Sequence, residues 1–73
     1  MKNLSQIKLK EKAIIKGFTD DNLSVKLIEM GCLPGTQVSL QLIAPFGDPI
    51  AIEVAGYQLS LRKQEASSIL IED

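Results

Sequence analysis

The chain has 73 residues, a net charge of −1, one cysteine and no histidine. That excludes an internal disulfide, a Cys/His zinc cage and histidine-based catalysis, and it gives nucleic acid little reason to bind. The length predicts a single domain over 1–73, too small for a roomy cleft beside a robust core, while a hydrophobic share of 45% is enough for a folded one.

No apolar run approaches the roughly 20 residues that span a bilayer, so no direct membrane insertion is expected. The N-terminus lacks the apolar segment of a signal peptide, and a lone cysteine points to a reducing cytoplasm. In chain order, residues 4–7 suit one helical turn and residues 8–12 a polar connector. Residues 12–18, with Ala13, Ile14 and Ile15 and bounded by Gly17, read as a first strand. Asp20, Asp21 and Asn22 form a capping cluster whose short acceptors satisfy orphan N–H groups. The helix they open runs over about 21–30, with Leu23, Leu27 and Met30 on one face. Gly31 stands where a left-handed residue ends a helix, and Pro34-Gly35 fits the centre of a type II turn.

The period then changes from 3.6 to 2. Residues 36–44 read as a half-buried strand with Val38, Leu40, Leu42 and Ala44 inward. Pro45, Phe46, Gly47, Asp48 and Pro49 form a connector that no regular element tolerates. Ile50, Ile52 and Val54 alternate in a return strand, Gly56-Tyr57 turns the chain, and residues 58–62 form a short strand with Leu59 and Leu61 inward. Residues 63–67 suit a helical turn, and Ile69, Leu70 and Ile71 a last strand. The expected fold is mostly β: a small SH3-like antiparallel barrel of about five strands with one short inserted helix.

Three stretches then carry a resemblance: 27–38 (Leu-Ile-Glu-Met-Gly-Cys-Leu-Pro-Gly-Thr-Gln-Val), 44–50 (Ala-Pro-Phe-Gly-Asp-Pro-Ile) and 56–66 (Gly-Tyr-Gln-Leu-Ser-Leu-Arg-Lys-Gln-Glu-Ala). In order and spacing they resemble the ferrous iron transport protein A (FeoA) family. The resemblance implies an SH3-like barrel and a cytosolic place, peripheral at the inner membrane through a partner. That partner is the membrane ferrous iron transporter, ferrous iron transport protein B, with its GTP-binding domain. A similar barrel closes iron-dependent repressors. Two departures stand out: the connector from Leu9 to Lys12 lacks the glycine often found before the first strand, and the helix start lacks the arginines many members carry.

The residues themselves suggest no catalyst. Cys32 has no recognisable base, the carboxylates are scattered, and no Gly-x-x-x-x-Gly-Lys-Ser/Thr cradle exists to bind GTP. Met1, Met30 and Cys32 are the soft metal ligands available, and no closed site follows from them; weak binding of Fe²⁺ or another divalent ion through surface acids is compatible with the chain. Lys2, Lys8, Lys10, Lys12 and Lys16 read as a solvated face. Leu33 and Phe46 are large apolar residues on turn-rich corners: they either plug the barrel or, exposed, form a partner-binding patch. The glycines and prolines at Gly31, Pro34, Gly35, Pro45, Gly47, Pro49 and Gly56, with Asp48, are given structural turn roles. No cofactor is expected, and the chain is open to weak self-association. Two function classes follow. One is an interaction module serving the iron transporter; the alternative is a metal-sensing module akin to the repressor barrel.

Overall fold

In the computed structural model, residues 2–72 are described; Met1, one of the candidate soft ligands, and Asp73 lie outside them. A 3₁₀ turn (Leu4–Gln6) leads into strand β1 (Lys12–Phe18) and helix α1 (Asp21–Glu29). Strands β2 (Gln37–Ile43), β3 (Ile50–Val54) and β4 (Tyr57–Leu61) follow, then helix α2 (Lys63–Ser67) and strand β5 (Ile69–Ile71). The strands form one antiparallel sheet in the order β4-β3-β2-β1-β5. It curls around Ile15, Val38, Ile52, Val54, Leu61 and Ile69, all essentially without solvent contact, and Leu27 of α1 joins them from the side. The outer edge of β5 meets the N-terminal segment through an Asn3–Leu70 bridge and a hydrogen bond from Ile71 N to Lys2 O (3.1 Å).

Two details differ from the periodic reading. In β2, the register against β3 shifts between Leu40 and Leu42, so the strand carries a bulge. One extra residue reverses which face every later side chain takes. Leu42, expected inward, is therefore 59% exposed opposite Ala51; Ile43, paired with core residue Ile50, is exposed at the end of the strand. The last hairpin also turns one residue earlier than the sequence suggests. Val54 pairs with Tyr57 across Ala55-Gly56, both with positive φ (+52° and +85°), so Tyr57 begins β4. Two consecutive left-handed residues are what a type I′ hairpin demands.

The connector before β1 repays the missing glycine with strain. Glu11 N donates to Lys8 O (2.9 Å), closing a turn in which Lys10 takes φ +69°. A lysine there bears the Cβ clash that a glycine would avoid.

Candidate docking corner and hairpin tip

Helix α1 is bounded at both ends by local chemistry. Asp20 Oδ1 accepts from the backbone N–H groups of Asn22 (2.9 Å) and Leu23 (3.1 Å). At the other end Gly31 N donates to Ile28 O (3.0 Å) and Cys32 N to Leu27 O (2.9 Å), with Gly31 at φ +101°. This pair of bonds is the Schellman arrangement, which satisfies carbonyls the helix leaves orphaned. Tyr57 reaches over from β4, and its hydroxyl donates to Met30 O. The ring lies so close that a Cβ at Gly31 would overlap the phenolic oxygen. Gly31 thus serves two needs, a left-handed backbone and room for a neighbouring ring.

The chain leaves this stop through Leu33, which is 48% exposed. Thr36 N donates back to Leu33 O (3.1 Å) around Pro34-Gly35, and Gly35 N donates to Ile15 O in β1 (2.8 Å). The corner is therefore pinned to the barrel on both sides while the Leu33 side chain faces out. Val25 and Ile28, three residues apart on α1, and Tyr57, whose hydroxyl reaches Met30, are further exposed apolar groups. Phe46, the second apolar corner residue, is 98% exposed. It stands at the far end of β2 from Leu33, in the turn that joins β2 to β3, so the two do not form one surface. Neither plugs the barrel.

Some of the bonds that hold these corners have no local signal in the sequence. Asp48 Oδ1 accepts from Lys63 N (2.9 Å), tying the Phe46 connector to the start of α2. Glu65, on α2, accepts from Arg62 N (2.9 Å) and pairs with Lys26 of α1 (2.8 Å). Its carboxyl is held below the usual range by the Lys26 ammonium and then by the Arg62 N–H. Cys32 is fully buried, and burial, followed by the negative charge of Glu65, pushes its thiol up. A protonated, enclosed thiol is a small apolar packing group. Among the described residues, no three His, Cys, Asp or Glu side chains converge on a point where a metal could sit, and no helix is long and apolar enough to cross a membrane. A polar hollow lies between Lys12, Ser39, Glu53 and Gly56.

The fold places this chain among known proteins. A domain model described as the FeoA domain matches residues 2–73. The FeoA-like protein of Clostridium acetobutylicum is 39% identical, with 96% of this chain and 83% of that one aligned at a TM-score of 0.89. The zinc-complexed FeoA of Stenotrophomonas maltophilia, described as an SH3 domain protein, is 25% identical over 99% of this chain and 91% of its own, at 0.86. A manganese-dependent transcriptional repressor with bound manganese superposes at 0.85 with 12% identity, over 94% of this chain and 35% of its own, which is a likeness of fold alone. With the domain matched from residue 2 to residue 73 and the SH3-like barrel in common, the chain belongs to the FeoA family.

Proposed function

We propose that this chain is a cytosolic, non-catalytic accessory subunit of a ferrous iron transporter, acting by docking onto the transporter's GTP-binding cytosolic region through the Leu33 corner. The family supplies the iron-transport setting. The observation that carries the docking step is Leu33 itself: a large apolar side chain, half exposed, on a corner whose backbone is fixed by bonds to β1 and across its own turn. A rigid apolar anchor loses little entropy on binding, and interfaces concentrate their energy in such anchors. Ile28 and Tyr57, exposed apolar groups bonded to the helix end that leads into this corner, supply further apolar contact.

Leu33→Glu tests this. Truncating an anchor costs roughly 2 kcal/mol or more, so affinity for the transporter's cytosolic region should fall about thirtyfold or more. The melting temperature should scarcely move, because an exposed substitution usually stays within about 0.5 kcal/mol. Unchanged affinity in a folded variant would place the docking surface elsewhere. The metal-sensing alternative rests on likeness alone: the repressor neighbour shares the fold at 12% identity, and the zinc of the Stenotrophomonas maltophilia FeoA is a finding on that protein. Stoichiometric micromolar binding of Fe²⁺ at a defined set of residues would revive it.

A further inference from the structure

The turn between β2 and β3 presents Phe46 almost wholly to solvent; beneath it the bulge in β2 turns Leu42 to the outer face, and Ile43, on the opposite face with Ile50, is exposed at the strand end. So large a fraction of aromatic surface in water, with two aliphatic neighbours, marks a contact site rather than a scattered surface residue. Three cations border it. Lys10 reaches this end of β2, donating from its backbone to Leu40 O (2.7 Å) and from its ammonium to Gln41 Oε1 (3.3 Å). Arg62 and Lys63 arrive from the other side, because Leu61 pairs with Ile50 and Lys63 N bonds to Asp48. The acids beside these cations have partners of their own: Asp48 accepts that N–H, Glu11 pairs with Lys2, and Glu65 pairs with Lys26. In the loop backbone two donors stay free, the N–H groups of Phe46 and Asp48. Pro45 and Pro49 have no N–H, Gly47 N bonds to Ala44 O (2.7 Å), and Ala44 N bonds to Pro49 O (3.1 Å).

We infer that this tip rests on an anionic lipid surface. Phe46, Leu42 and Ile43 enter the boundary between headgroups and acyl chains, and Lys10, Arg62 and Lys63 meet the lipid phosphates. Apolar side chains ringed by cations are what such a boundary binds, and neither part alone holds a protein there firmly. No segment crosses the bilayer in this arrangement. It adds a direct lipid contact to one expected only through a partner, and it sits at the opposite end of β2 from Leu33, leaving that corner free.

Vesicle flotation tests the inference with lipid alone, so its outcome does not depend on the transporter reading. The unmodified chain should float with phosphatidylglycerol-containing vesicles, should not float with pure phosphatidylcholine ones, and should release as salt is raised. Phe46→Ser should weaken the partition by about tenfold or more, from the apolar surface no longer buried. The triple variant Lys10→Gln, Arg62→Gln, Lys63→Gln should lose the salt dependence. Phe46→Trp should show a blue-shifted emission on anionic vesicles, and thermal melts establish that each variant is folded. Absence of flotation with anionic vesicles overturns the inference, as does equal binding to both lipids or a Phe46→Ser variant that floats unchanged. If the unmodified chain does not float and Phe46→Ser weakens binding to the transporter's cytosolic region, the tip belongs to a protein partner.

Discussion

Gly31 shows how much one residue can decide. Its φ of +101° favours glycine, and the space its missing side chain leaves is taken by the Tyr57 ring. Gly31→Ala should therefore cost about 2 kcal/mol or more, from backbone strain plus the displaced tyrosine bond. Chemical denaturation of the single and double variants separates the two causes. Because Tyr57→Phe removes the clashing oxygen, the double variant Gly31→Ala, Tyr57→Phe should lose less than the two single losses combined. Simple additivity would mean that the ring does not press on Gly31. Part of this was legible in the sequence: a glycine after an apolar helical stripe reads as a helix stop. Its second duty was not, because nothing local ties residue 31 to residue 57.

At the scale of elements, the turns carry strain that substitution can relieve. Ala55 and Lys10 both take positive φ without being glycine. Ala55→Asn, which produces the Asn-Gly pair preferred in I′ hairpins, and Lys10→Gly should each stabilise by about 0.5–1 kcal/mol. In a chain of this size that is a rise of several degrees in Tm, readable by calorimetry. A fall in Tm for both would show that neither residue is strained. The elements themselves were readable because hydrophobic period, capping residues and turn residues agree along most of the chain. The β2 bulge was not. No glycine or proline marks it, and strict alternation through Leu42 looks like an unbroken strand. That single slip turned Leu42 to the outer face, where with Ile43, exposed at the strand end, it forms the base of the Phe46 tip. The corner residues could be picked out in advance because neither lies in a periodic segment, but their separation along β2 emerges only once the sheet is folded.

For the whole molecule, Glu65 links the inserted helix to the closing segment. It binds Lys26 of α1 and the Arg62 N–H that opens α2. Both partners favour the carboxylate, so its folded pKa lies below the ordinary value. The stability this contributes is present above the unfolded pKa and is lost as pH falls through the folded one. Glu65→Gln should cost on the order of 1 kcal/mol at neutral pH and should flatten the acid limb of stability against pH. Denaturant melts across the acid range check this, and an unchanged limb would mean that Glu65 is not held as described. Such cross-links keep the Leu33 corner in place relative to the barrel. The most direct measurement of the docking role is a residue-resolved NMR titration of the labelled chain with the transporter's cytosolic region. Shift changes should concentrate on Leu33, Ile28 and Tyr57 and leave the hollow between Lys12 and Glu53 untouched. Changes centred on that hollow, or none at a saturating excess of partner, would contradict the assignment.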